Sequence, residues 1–377
     1  MAESDAPDDQ SLMTVADRLR RAQAEMGHQG IDWLAVGPSA DLRYLLGTEG
    51  HLSERLSLLL LPREGDPAYV VAGLEAPLLE PLRDRLEIHA WEETEDPAAL
   101  VAAVVRDGPG GATPTVAVAD ELPGVFLLRL QAALPGAAWR EGGLLLRPLR
   151  SVKDGREIAL LREAARRTDA AWEDFIARPL SGQTEMQALA RLLELTHATG
   201  LEPGFGHCSS GPLTASPHYA GGDRAIGPGD VVVFDWGGRL EGYHSDVTRT
   251  VVVGEPEPEF VRAYEATLAA NEAALRAVAP GVACEAIDLA ARAVLEDAGY
   301  GEFFIHRVGH GLGLSIHEEP YLVTGNTLPL AAGMVFSDEP GVYLPGRWGI
   351  RIEDAVLCTD TGGERLNEAP RELTRVG

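Results

Sequence analysis

Cysteine, positive charge and long apolar runs are all in short supply in this chain, and each shortage excludes something. Its three cysteines, Cys208, Cys284 and Cys358, are odd in number, far apart and in no C-x-x-C arrangement. That excludes a disulfide framework and predicts free thiols in a reducing cytoplasm. Lys and Arg total 32 against 58 Asp and Glu, a formal net charge of -26, with a pI near 4.7. A balance so acidic argues against nucleic acid or an anionic membrane as partner, since both are polyanions. No stretch approaches the length of a membrane span, and LSLLLLP at 56–62 is strand-sized. The opening MAESDAPDDQ lacks the basic start and apolar core of a signal peptide. Residues 1–10 are therefore expected to be a disordered tail, and the protein to be cytoplasmic. No G-x-S-x-G elbow accompanies His207, Ser209 and Ser210, so their likeness to a serine nucleophile site is superficial.

The remaining composition is that of a globular protein. At 377 residues and 45% hydrophobic, the chain has room for one or two domains with a full-sized core. Residues 12–28 have helical spacing, and WLAVG, LSLLLLP, AYVVA and TVAVA read as short buried strands between helical stretches, an α/β pattern. Near Pro148 the strand-like run LLLRPLR gives way to a long amphipathic helix, which puts a domain boundary at about 147–153. Beyond it one plan is used twice. Helices at about 154–177 and 183–199 lead to a hairpin at 229–253; helices at about 257–279 and 283–298 lead to a second at 333–357.

Five residues in this second region stand in local sequences that suit a metal site. They are Asp235 in FDWGG, Asp246 in YHSDVTRT, His310 in HRVGHGLGLSIHEEP, Glu339 in SDEPGVY and Glu353 in GIRIEDAV. An oxygen-rich set of this kind suits Mn, Co or Zn, and four carboxylates carry enough charge to balance two dications. Hydrolysis by a metal-activated water is the chemistry to which such a set points. Asp246 opens an apolar, β-branched strand, where an unpaired carboxylate would cost several kcal/mol. Gly237 and Gly238 would be explained by a turn after Asp235. His306 and His310 are four apart, as in a helical zinc pair, but Gly309, Gly311 and Gly313 better suit a backbone passing tightly beside a site. Glu318 and Glu319 read as solvated or as neighbours of the ligands. Strand alternation puts Arg351 and Glu353 on one face and Asp354 on the other, which excludes Asp354 as a ligand. Arg351 is either a counter-ion or an anchor for a substrate carboxylate.

With these motifs in order, the chain resembles the pita-bread metallopeptidases, in the prolidase and aminopeptidase P branch. The likeness covers nearly all the chain: a creatinase-type α/β N-terminal domain at 11–146, a linker at 147–153, and a pseudo-twofold catalytic domain at 154–377, an antiparallel sheet covered by helices. The resemblance implies two divalent ions, Mn or Co first and Zn or Fe as alternatives. Asp235 would chelate one ion, Asp246 and Glu353 would bridge both, and His310 and Glu339 would complete the second, with a hydroxide between them as nucleophile. It implies a catalytic set of His218, His317 and Glu339, with His306, Tyr343 and Arg351 on the substrate side. Proline-containing peptides would be the substrates and a homodimer the assembly. In the loop GTEGHLSERLS at 47–57, Arg55 is a candidate grip on a short substrate's carboxylate. Dipeptidase, aminopeptidase and carboxypeptidase remain open, as do a non-peptidase hydrolase or lyase on the same scaffold and a non-catalytic peptide-binding protein. The last would be marked by a lost ligand, and none is lost.

Overall fold

A computed structural model describes residues 13–377; the tail expected at 1–10 lies outside the described residues. The chain divides into two compact units, one ending at Arg150 and one running from Ser151 to Gly377. No helix among the described residues is long and apolar enough to cross a membrane.

The first unit is α/β. Its strands are β1 (Trp33–Val36), β2 (Leu58–Pro62), β3 (Ala68–Ala72), β4 (Glu87–Trp91), β5 (Thr115–Val118) and β6 (Ala138–Glu141). They form one sheet in the order β4-β3-β2-β1-β5-β6. Helix α1 (Val15–Gln29) begins where Thr14 and Asp17 cap it reciprocally. Helices α2 (Ala40–Leu46), α3 (Pro97–Asp107), α4 (Gly124–Ala133) and α5 (Gly143–Ser151) complete the unit. The strand-like reading of LLLRPLR is overturned, because α5 runs through it and through much of the expected linker. Leu145 and Leu146 are fully buried while Leu144 is exposed. A one-sided pattern of this kind belongs to a helix and not to a strand with alternating faces.

The second unit is α+β. Its helices are α6 (Gly155–Ile176), α7 (Glu185–Ala198), α8 (Pro258–Ala277) and α9 (Cys284–Asp297). The first half contributes β7 (Glu202–Ser210), β8 (Val231–Leu240), β9 (Tyr243–His244) and β10 (Val247–Val253). The second contributes β11 (Gly309–Gly311), β12 (Glu318–Leu322), β13 (Val335–Asp338), β14 (Gly341–Leu344), β15 (Trp348–Arg351), β16 (Asp354–Cys358) and β17 (Gly363–Arg365). The last strand, β18 (Thr374–Val376), returns to pair with β10. The two halves repeat in detail. Gly182 donates to the Ile226 carbonyl and Gly281 to that of Leu330, and isolated bridges join Thr184 to Ala225 and Ala283 to Pro329. Each half packs helices on its own core: Trp172, Phe175, Phe234 and Trp236 in one, Phe260, Ile287, Phe336 and Trp348 in the other.

At the seam between the halves Thr248 and Glu353 form an isolated bridge, with the Glu353 N–H donating to the Thr248 carbonyl at 3.1 Å. This seam positions the site. Gly237 and Gly238 lie inside β8 and not in a turn; a side chain at Gly237 would collide with the Ser245 carbonyl. The turn itself is made by Glu241 and Gly242, both at positive φ.

Candidate metal centre

Asp235, Asp246, His310, Glu339 and Glu353 all line one cavity of about 610 Å³ in the second unit. They reach it from different elements. Asp235 is on β8, opposite Thr248, and Asp246 immediately precedes β10. His310 sits at the centre of β11, while Glu339 and Glu353 flank the paired ends of β13 and β16. The glycines about His310 permit this approach, since a Cβ at Gly309 would strike the Ser337 carbonyl.

The donor set calls for a cation. His310 Nδ1 is 3.1 Å from the Gly311 carbonyl, which can only accept, so Nδ1 carries the proton. Burial first, and then His317, push the His310 pKa down to about 3, so the ring is neutral. Its Nε2 lone pair therefore faces Asp246 Oδ2 at 3.5 Å and Glu339 Oε1 at 3.4 Å, an approach that needs either a cation or a carboxyl proton between the atoms. Ligand atoms of Asp246, His310 and Glu353 lie within 4.8 Å of one another, and all three residues are buried. Asp235 Oδ1 is buried with no hydrogen-bond partner among the described residues. Burial, with the crowded acids adding to it, raises Asp246 and Glu353 well above the usual carboxylate range and brings Glu339 up to about 7. Burial would raise Asp235 too, but Arg351 and His207 outweigh it and hold that carboxyl low. These residues fit a hard divalent ion, which would satisfy the orphaned oxygen and the lone pair together.

Around this cluster runs a second tier of contacts. Arg351 donates to Asp235 at 2.6 Å, to the Tyr343 hydroxyl at 3.0 Å and to Thr248 Oγ1 at 3.1 Å. Thr248 Oγ1 in turn donates to Glu353. His306 Nδ1 donates to the Arg307 carbonyl at 2.7 Å, which leaves Nε2 to accept from Tyr343 at 2.9 Å. Asp354 points elsewhere, accepting from Arg249 at 2.7 Å. His218 and His317 are both exposed and line the cavity, and the His317 ring stands edge-on to His310 with centroids 4.1 Å apart. Burial, followed by the charge of Arg307, lowers the His317 pKa.

Two residues singled out by the sequence have charged partners of their own. Of the two readings of Glu318 the solvated one falls, since it pairs with the buried Lys153 at 2.8 Å. Arg55 belongs to the first unit, where Glu93 and Glu54 each hold its guanidinium at 2.7 Å. Residues not foreseen also contribute. His207 lies opposite Asp235 in the β7–β8 ladder, 3.8 Å from its carboxylate, and Arg307, Phe205 and Val323 line the cavity. Thr248 was readable, since Asp246, Thr248 and Thr250 share one strand face. His207 was not, because only strand pairing brings it there.

Residues 159–360 match metallopeptidase family M24, more than half of the chain. The chain belongs to that family. This metallopeptidase also matches the creatinase/prolidase N-terminal domain over residues 18–152. It is 42% identical to the probable dipeptidase PepE of Mycobacterium bovis over 95% of this chain and 96% of that protein. Against the Xaa-Pro dipeptidase of Pyrococcus furiosus it is 38% identical over 61% of this chain and 66% of the relative. The solved prolidase of Thermococcus sibiricus superposes with a TM-score of 0.92 at 36% identity, covering 97% of this chain and all of the other. The fold is the pita-bread peptidase fold with its creatinase-type N-terminal domain, and the protein is a peptidase.

Proposed function

We propose that the protein hydrolyses Xaa-Pro peptide bonds with two divalent ions, Mn or Co, held by Asp235, Asp246, His310, Glu339 and Glu353. The observation that carries this reading is the convergence of the His310 lone pair with the buried carboxyl groups of Asp246, Glu339 and Glu353 in one cavity. Relatives acting on Xaa-Pro bonds support the choice of substrate. When bound, such ions supply a water that ionises near neutral pH and polarise the scissile carbonyl. The chain's own residues do the rest. The bond before proline is a tertiary amide whose leaving nitrogen has no proton, so a donor must stand beside it. We assign that task to His218, on its loop at the cavity wall, and the stabilising of charge on the carbonyl oxygen to His317. Arg351 holds Asp235 ionised and, through Tyr343, aligns His306.

Exhaustive chelation is expected to abolish hydrolysis of Ala-Pro, and Mn or Co to restore it. Asp246→Ala should lose more than the roughly 10–100-fold typical of residues that merely orient a ligand. Activity that survives in Asp246→Ala at saturating metal, with metal content unchanged, would show that the ligand assignment is wrong.

A further inference from the structure

Of the chain's 32 lysine and arginine residues only one, Lys153, is a lysine, and it is buried. Its main chain is fixed beside β13, where the Lys153 N–H donates to the Gly333 carbonyl at 2.9 Å and Val152 bridges to Met334. Its ammonium donates to Glu318 Oε1 at 2.8 Å and to the Ser151 carbonyl at 3.3 Å. A compact head with three donors suits these few acceptors; a guanidinium would bring five N–H groups into the same slot. A buried pair of this kind adds little net stability, because desolvation of both charges offsets their attraction. What it adds here is a fixed place for the Glu318 carboxylate.

That carboxylate lies inside the loop it closes. Gly311 and Glu318 face each other at the paired ends of β11 and β12, so residues 312–317 connect the two strands. Glu318 Oε2 accepts from the Ser315 N–H at 3.2 Å, and a Cβ at Gly313 would collide with Oε1. On the loop's other side, the Gly313 carbonyl accepts from the His244 N–H at 2.9 Å. The last residue of the loop is His317, which lines the cavity edge-on to His310; Lys153 and Glu318 are not among the lining residues.

We propose that Lys153 is a positioning residue for hydrolysis: through Glu318 it sets the 312–317 loop and so the placement of His317 in the cavity. The part played by His317 rests on the function proposed above; the hold of Lys153 on the loop does not.

The test is a double-mutant cycle on Ala-Pro hydrolysis by the Mn-loaded protein, read together with amide exchange. Lys153→Met should lower kcat about 10- to 100-fold, the cost of misplacing a reacting group by about an ångström, with KM and metal content unchanged. In a His317→Ala background the same substitution should cost less than about twofold, because the group it positions is gone. Exchange should rise within 312–317 and stay as in the wild type within 211–222, the loop of His218. Glu318→Gln keeps the side chain's size but leaves one oxygen for Lys153 and Ser315 to share. It should give the same pattern, and it covers the case in which Lys153→Met does not fold. Equal losses in kcat with and without His317 would make Lys153 a structural residue only, and unchanged exchange within 312–317 would remove its hold on the loop; either result overturns the proposal. A loop that loosens in a protein that cleaves no Ala-Pro, or whose His317→Ala variant keeps the wild-type rate, would instead remove the proposed reaction or role and leave that hold standing.

Discussion

His310 shows how a single proton location organises the site. Its Nδ1–H is committed to Gly311, so the ring offers one lone pair in one direction. The side chains of His218 and His317 line the same cavity without belonging to the ligand cluster. His218→Ala and His317→Ala should each lose about 10²- to 10⁴-fold in kcat, the usual yield of a positioned acid or base, with metal content unchanged. Elemental analysis beside steady-state kinetics checks this, and loss of metal in either variant would move that histidine into the coordination shell. The four acids and the imidazole of the cluster were legible because each sits in a short motif whose local chemistry makes little sense otherwise. Arg307 and His207 were not, since strand pairing and stacking assign their neighbours and neither depends on adjacent residues.

At the scale of elements, α7 and α9 serve as frames for the loops that carry the site. Glu185, at the start of α7 and fully buried, accepts from the Ser210 N–H and hydroxyl at 2.7 and 2.6 Å, the Gly222 N–H at 2.8 Å and the Tyr219 hydroxyl at 3.2 Å. Its carboxylate closes both ends of the loop bearing His218. In Glu185→Gln one acceptor becomes a donor facing a backbone N–H. The variant should lose about 1–3 kcal/mol in urea unfolding, the cost of one buried unsatisfied group. Amide exchange should rise within 211–222, and unchanged exchange there would mean that the loop is held by something else. The four helices of the catalytic unit were legible from their amphipathic spacing, which burial on one face enforces. Strands β4 and β6 were not, because as sheet edges they expose much of their length and carry no apolar run. LLLRPLR misled for the opposite reason, as three adjacent leucines look like a strand until burial shows one turned outward.

For the whole molecule, gathering four carboxylates makes stability depend on what neutralises them. Without metal, a carboxyl whose pKa is raised on folding holds its proton in the native state at a pH where the unfolded chain has released it. Glu339, raised from 4.5 to about 7, and Asp246 and Glu353, both raised well above the ordinary carboxylate range, should therefore make the chelated protein less stable as pH climbs from about 4.5 through 7. Asp235, held low, acts only below its unfolded value of 3.8 and does not disturb that window. With Mn present the slope should reverse, since ions displace protons and bind better as pH rises. Urea midpoints at pH 5 and pH 8, with chelator and with Mn, read both slopes, and parallel slopes would deny that the acids share a site. The seam at Thr248 and Glu353 has one more consequence. Asp235 and Asp246 come from the half that ends with β10 and His310, Glu339 and Glu353 from the other, so the ligand set is divided two against three. Neither half owns a metal centre. If the chain were nicked in the exposed stretch 254–257, the two pieces would be co-ligands of the same ions, and their reassembly would become a sensor of divalent metal.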